Sequence, residues 1–269
     1  MANRTVIGLI AGSGELPILF ARQARTKGFD LVTAAVRGSA STRLNSLGGA
    51  ILWVSPGQLG ALITHFKKNN VKKIVMLGKI QHSLSFRNLK LDWKALALWA
   101  KLKDRSGESL LRAVAGELLK NGLRVLDSRF LMEGVLIRKG WVSKAGSGKP
   151  GPGEISYGLK QARALSRLGF GQAVMIKKNA VVSLEGMEGT DETIRRAGKW
   201  AGVGTILIKA ASPKQDWRFD VPAIGLKTLK SLSAAKSKGL VVEGGRTFLL
   251  EGEKTIAYAK KHGIFILAV

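Results

Sequence analysis

Apolar positions along this chain recur with two alternating periods, and the alternation itself predicts an architecture. Val6–Ala11 is a short apolar run ending at Gly12, after which 16–27 repeats its apolar residues at helical spacing as far as Gly28. Residues 31–36 return as a strand, 59–69 as a helix and Lys73–Leu77 as a strand. Helical spacing resumes over 93–102 and 109–119, the latter closed by Asn121-Gly122, and Val125 and Leu126 open another strand. Such a rhythm marks a mainly parallel sheet covered by helices, since each helix buries its apolar stripe against the strands it connects.

The pattern fades between Leu131 and Gly140, and the densest Gly/Pro stretch of the chain, KAGSGKPGPG at 144–153, reads as a mobile loop or linker. This divides the chain into an N-terminal α/β domain over 1–132 and a C-terminal one over 133–269. Beyond the boundary, helices are expected over 154–168, 191–200, 226–236 and 253–262. Strands are expected over 173–176, 181–184, 205–208, 240–242, 247–250 and 264–267. A short turn joins 173–176 to 181–184, and Gly244-Gly245 between 240–242 and 247–250 signals a hairpin. The second domain is therefore mixed α/β with an antiparallel element. No internal repeat is evident.

With 269 residues and 45% hydrophobic content, the chain can support two cores. It has no cysteine, which removes disulfides, thiol nucleophiles, iron–sulfur clusters and cysteine-bound zinc together. The three histidines, His65, His82 and His262, are far apart and read as surface or half-buried residues. A bound metal would then be a hard ion held by carboxylates, Mg2+ or Mn2+. The N-terminal apolar run is broken by Gly12, Ser13, Gly14 and Glu15, which suits a buried strand better than a signal peptide. No stretch reaches the roughly 18 apolar residues of a membrane span, so the chain is expected in the cytoplasm.

Charge changes the picture further. Lys and Arg number 44 against 18 Asp and Glu, a formal net of +26. That excess favours an anionic partner, whether nucleic acid, a membrane surface or a phosphorylated substrate, although a source-wide compositional bias would leave the same mark. A nucleic-acid binder predicts basic clusters interleaved with exposed aromatics. With six Trp and two Tyr, and with Trp93 and Trp99 in a helical pattern that reads as core or apolar surface, no nucleic acid is expected.

Three stretches carry candidate chemistry. In the first, Gly12, Ser13 and Gly14 follow a strand and precede a helix with Pro17 in its first turn, a place where backbone N–H groups can meet an anion. It is neither a dinucleotide fingerprint nor a Walker motif. The second gathers Glu185, Glu188, Asp191 and Glu192 at a strand end and helix start. First-turn acids complement the helix dipole and Thr190 could cap, but Glu185 and Glu188 flank glycines ahead of the helix and could cage a divalent cation. The third follows a strand over 209–225 and sets Asp216 and Asp220 among Lys209, Lys214 and Arg218, a mix suited to a phosphate ester with a metal.

These stretches, IAGSGELP at 10–17, LEGMEGTD at 184–191 and QDWRFDVPAIG at 215–225, resemble the LpxI-type UDP-2,3-diacylglucosamine pyrophosphatases of lipid A biosynthesis in order and spacing along nearly the whole chain. The resemblance implies two α/β domains, the first Rossmann-like, with the active site between them, and a homodimer. It implies metal-dependent hydrolysis of the substrate's pyrophosphate to UMP and 2,3-diacylglucosamine 1-phosphate. Asp220 falls on the family's Arg-x-Asp-Leu-Pro aspartate, and Glu188, Thr190 and Asp191 on its Glu-Gly-Thr-Asp. One departure stands out: where the family carries two adjacent acids before a Leu-Leu pair, Gly107 and Glu108 precede Ser109-Leu110-Leu111 here, which makes Glu108 a weak candidate.

The mechanism expected on this basis is metal-assisted attack of water on phosphorus. Asp220 serves as metal ligand or base, and Glu188 and Asp191 join it on the Mg2+ or Mn2+. Thr190, Lys209, Lys214, Arg218 and the backbone of Gly12, Ser13 and Gly14 contact the substrate. The acylated UDP-sugar places the protein peripherally on the anionic inner-membrane surface. Another nucleotide-sugar enzyme on the same scaffold, or a basic nucleic-acid binder, is the competing reading.

Overall fold

A computed structural model describes residues 4–80, 91–102, 107–144, 150–212, 215–219 and 221–269. His82, Lys214, Asp220, the side chain of Glu108 and residues 145–149 of the Gly/Pro-rich stretch lie outside the described residues. The chain forms two compact units. One comprises Met1–Glu133 with Trp217–Phe219, the other Gly134–Asp216 with Asp220–Val269.

In the first unit the elements are β1 (Val6–Ala11), α1 (Leu16–Thr26), β2 (Asp30–Val36), a 3-10 turn (Thr42–Leu47) and β3 (Ala50–Val54). They continue with α2 (Leu59–Lys68), β4 (Lys73–Leu77), α3 (Trp93–Lys101), α4 (Gly107–Lys120) and β5 (Arg124–Val125). All five strands are parallel, in the order β3-β2-β1-β4-β5. This is a Rossmann-like half, in which the chain leaves β1 toward one side and later returns on the other. Strands buried on both faces read as continuous apolar runs, as in β1 and β4. Phe66, Ile74, Leu118 and Leu123 form the core on one face, and Phe219 packs against it. On the other side α1 buries Phe20, Ala21 and Ala24.

The order reverses between β1 and β4, and there the two strand ends are pinned together. Gly12 N–H donates to Leu77 O (2.8 Å), Ser13 N–H to Lys79 O (2.7 Å) and Lys79 N–H to Ser13 O (3.2 Å). Only glycine fits on either side: a Cβ on Gly12 would lie 2.7 Å from Lys79 O, and one on Gly78 would lie 2.5 Å from Ser13 O, at a φ of +89°.

The second unit contains β6 (Gly140–Ser143), α5 (Pro152–Leu168), β7 (Ala173–Lys177), β8 (Ala180–Leu184), α6 (Thr190–Ala201) and β9 (Ile206–Lys209). It continues with β10 (Ala223–Ile224), α7 (Leu226–Ala234), β11 (Gly239–Val242), β12 (Phe248–Leu249), α8 (Gly252–Lys261) and β13 (Phe265–Ala268). Its main sheet runs β6-β13-β11-β9-β7-β8. Strands β9, β11 and β13 are parallel, whereas β7 opposes β9, β8 opposes β7 and β6 opposes β13. Alternate strand residues face opposite ways. Met175, Leu207, Leu240 and Ile266 pack with α6, α7 and α8 through Ile194, Leu229 and Ala259. Val174, Ile176, Ile208 and Val241 pack with α5 through Ala162 and Leu165. The turn between β7 and β8 is the two-residue Lys178-Asn179, both left-handed (φ 48° and 58°), as the hairpin twist demands.

The hairpin expectation is overturned. Gly244-Gly245 does not close a hairpin: β11 is paired on both edges, by β9 and β13, so β12 cannot join it and pairs in parallel with β10. Strands β3, β6 and β10 were not anticipated from the pattern. Two histidine readings hold. The His65 ring bonds Thr33 O at 3.2 Å, burial lowering its pKa, and His262 stacks on Tyr258.

The pinch between β1 and β4 makes a sharp prediction. Gly78→Ala must move Ser13 or Gly12 backbone and hold alanine at positive φ, so it should cost on the order of 2 kcal/mol or more. Urea unfolding followed by circular dichroism measures this as a lowered midpoint; a midpoint equal to the parent's would mean the two loops separate freely.

Candidate functional site

Strands β8, β9 and β11 point the same way, and a charged residue stands at the carboxyl end of each. Glu185 follows β8, Lys209 ends β9 and Glu243 follows β11. Among the described residues these three are the charged side chains that are buried. Register sets Glu185 and Lys209 side by side: Lys209 lies opposite Ala173, whose O accepts from Glu185 N–H at 2.9 Å, while Val242 is the partner of Lys209 on β11 and Glu243 follows one residue later, on the α5 face. Parallel α/β sheets gather their ligand-binding groups at this edge.

A charge withdrawn from water must be paired or hydrogen-bonded. Glu185 accepts from Gln172 N–H through Oε2 (2.9 Å) and from the Thr190 hydroxyl through Oε1 (2.5 Å). Lys209 Nζ donates to Thr190 Oγ1 (3.3 Å) and to Ala223 O (3.4 Å). Carboxylate, hydroxyl and ammonium thus form a continuous chain. Thr190 does not cap α6, as the sequence suggested; Gly189 holds the N-cap position (φ +84°), and the threonine hydroxyl turns instead to Glu185. Glu243 accepts from Arg163 Nε (2.8 Å) and Ala211 N–H (2.9 Å), and Arg246 donates to Ser212 O (2.7 Å). These bonds moor the first residues of the 209–225 segment to the sheet.

The remaining acids of the cluster separate. Glu188 pairs with Arg196, which also donates to Leu184 O at 2.7 Å. Asp191 accepts from the Ser231 hydroxyl (3.0 Å) and pairs with Lys227 (2.7 Å). Glu192 is bound by Arg195 one turn on, whose hydrogen bond lowers its pKa. Among the described residues no three acids or imidazoles converge into a metal-holding group. The expected metal set of Glu188, Asp191 and Asp220 therefore has two members facing different cationic partners and a third outside the described residues.

Of the residues expected to contact substrate, Thr190 and Lys209 are brought together at the edge. Lys214 lies outside the described residues. Arg218 sits over the Phe219 ring at 4.7 Å in the Trp217–Phe219 segment, which belongs to the first unit: Ser128 N–H donates to Trp217 O (2.7 Å), and Arg129 lies 4.0 Å over the Trp217 ring. Two residues before Trp217, both polar atoms of the Gln215 side chain are buried with no hydrogen-bond partner among the described residues. In the first unit, the Gly12 and Ser13 amides expected to meet an anion are spent on Leu77 O and Lys79 O, and the Ser13 hydroxyl also donates to Lys79 O (2.9 Å).

Sequence reasoning passed over Glu243, Arg163 and Arg246. A usable signal existed: Glu185-Gly186 and Glu243-Gly244 each place an acid and a glycine directly after an apolar strand. Reading Gly244-Gly245 as a hairpin turn hid the parallel.

Comparison with known proteins agrees in extent with the two halves. The LpxI N-terminal domain model matches residues 6–135 and the LpxI C-terminal domain model residues 138–267. A relative from Caulobacter vibrioides, the UDP-2,3-diacylglucosamine pyrophosphatase LpxI, is 27% identical over 274 aligned residues, spanning 98% of this chain and 97% of its own. Among solved structures, the biotin carboxylase subunit of pyruvate carboxylase matches at 13% identity over 72% of this chain and 41% of that one, with a TM-score of 0.27, too slight a likeness to use. With both halves of the chain matched in order, this protein belongs to the LpxI family.

Proposed function

We propose that this protein hydrolyses the pyrophosphate of UDP-2,3-diacylglucosamine, releasing UMP and 2,3-diacylglucosamine 1-phosphate in lipid A biosynthesis. The observation that carries the reading is the hydrogen-bonded chain Glu185–Thr190–Lys209, with both charged ends buried, at the carboxyl edge of the second sheet in a member of the LpxI family. An ammonium in a low-dielectric wall attracts a phosphoryl oxygen far more strongly than one in water. Lys209 accordingly receives a non-bridging oxygen and stabilises the charge that grows on it as water attacks phosphorus. Thr190 orients that ammonium, and Glu185 holds the threonine.

A divalent cation belongs to the same reading. The acids offer hard oxygen donors, which suit Mg2+ or Mn2+, and Asp220, Glu188 and Asp191 would hold it. When bound, such an ion polarises a phosphoryl oxygen and lowers the pKa of water. Glu188 and Asp191 would exchange the ion pairs with Arg196 and Lys227 for the metal. Asp220 acts as metal ligand or as base toward the attacking water, and Arg218 and Lys214 add charge for the substrate. The protein works as a homodimer and associates peripherally with an anionic membrane surface, where an acylated substrate resides. No helix among the described residues is long and apolar enough to cross a membrane.

Purified protein incubated with UDP-2,3-diacylglucosamine should release UMP, lose that activity to a chelator and regain it with Mg2+ or Mn2+; absence of UMP under all these conditions would sink the proposal. Glu188→Gln and Asp191→Asn should each raise the metal concentration that gives half-maximal rate, and titrations matching the parent would remove both from the metal set.

Lys209→Met should lower kcat by about a hundredfold, the usual loss for a transition-state charge donor. Asp220→Ala should reduce UMP release by roughly 10²–10⁴-fold with an unchanged melting temperature and retained substrate, whereas Asp216→Ala is milder. Turnover of Asp220→Ala within tenfold of the parent would move the chemistry to Asp216 or the Glu185 region.

A further inference from the structure

The carboxyl edge that carries the buried charges also carries apolar side chains directed into water. Leu168 ends α5 at 65% exposure, and the chain turns at Gly169 (φ +75°) into Phe170 at 67%. Across the β7–β8 edge stands Met187 at 87%. The two turns are joined closely: Gln172 N–H donates to Glu185 Oε2, and Gly171 leaves no room for a Cβ, which would lie 2.4 Å from Glu185 O. Large apolar residues on turns, where nothing in the packing requires them, mark a contact surface.

Charge indicates the occupant. Helix α5 presents Lys160 and Arg167, seven residues apart on one exposed stripe leading to the Leu168 and Phe170 tip, with Arg163 between them held by Glu243; its acid, Glu154, lies at the opposite end. A second copy of a chain of net +26 meets this stripe with more positive charge, whereas an anionic lipid surface complements it. Basic residues beside protruding Leu, Phe and Met are the composition by which proteins lie on a bilayer, the cations among headgroups and the apolar tips below them.

We propose that the tip formed by Leu168, Phe170 and Met187, with the basic stripe of α5, seats the second unit on an anionic lipid bilayer. The inference rests on the reading that the substrate is acylated: its chains then stay in the bilayer while its pyrophosphate reaches the adjoining row of Glu185, Thr190 and Lys209.

Flotation with vesicles of phosphatidylglycerol and phosphatidylcholine tests this. The parent should float with mixed vesicles at low salt and not with pure phosphatidylcholine. The double variant L168S/F170S, folded as judged by its melting temperature, should partition about tenfold less at any salt, since it surrenders apolar burial. K160E/R167E should lose its partition mainly at low salt, where charge attraction is least screened. Hydrolysis of detergent-dispersed substrate by L168S/F170S should stay within about twofold of the parent, marking a loss of docking and not of chemistry. Flotation of L168S/F170S equal to the parent's overturns the proposal, as does a halved mass of that variant in light scattering, which would assign the tip to a second copy. Should the parent float as described yet release no UMP, the docking surface stands and the proposed reaction falls.

Discussion

Removing an ammonium and two carboxylates from water costs several kcal/mol per ion unless their hydrogen bonds are replaced, and the second unit is arranged around that replacement. Glu185, Lys209 and Glu243 end three strands that run the same way, so the sheet itself brings them to one edge, Glu185 and Lys209 on one face and Glu243 on the other. The bonds that compensate them come from elsewhere in the chain. Gln172 precedes β7, Thr190 opens α6, Arg163 stands on α5, and Ala211 begins the long segment after β9. Satisfying these charges therefore fixes how two helices and two loops meet the sheet edge.

The excess of cations shapes the acids as well. With 44 Lys and Arg for 18 Asp and Glu, an acid at the surface readily finds a basic neighbour. Glu188, Asp191 and Glu192 each hold one, with Arg196, Lys227 and Arg195 respectively. Exposed pairs of this kind add little stability. Their consequence is electrostatic: acids that look clustered in sequence are dispersed in space, while the unpaired surplus of positive charge raises the local concentration of anionic ligands. In the first unit the equivalent constraint is steric, with Gly12 and Gly78 letting two strand ends touch where the sheet order reverses.

Much of this was legible beforehand. Val6–Ala11 and Lys73–Leu77 were bounded correctly because a buried parallel strand is an unbroken apolar run between polar ends. Helices α1, α5 and α6 stood out because their apolar stripes repeat at 3.6 residues and glycines stop them. Strand β3 escaped notice because Ala50–Val54 is short and follows two glycines that read as loop, and β10 is only two residues long. Glu185, Thr190 and Lys209 were all within stretches singled out for chemistry, yet Thr190 as a bridge between the other two was invisible.

The division has a physical reason. Residue type and period are properties of a single backbone segment, so the sequence by itself determined the longer strands and the helices, the absence of cysteine chemistry, the positive field and the acidic and basic residues available to a site. Partners are properties of segments meeting, and tertiary structure alone decided them. Strand β11 is saturated by β9 and β13, so the Gly244-Gly245 turn leads to a strand that pairs with β10. Glu243 could be recognised only once β11 lay beside β9, because burial of a charge at the shared carboxyl edge arises from the assembled sheet and from no local pattern.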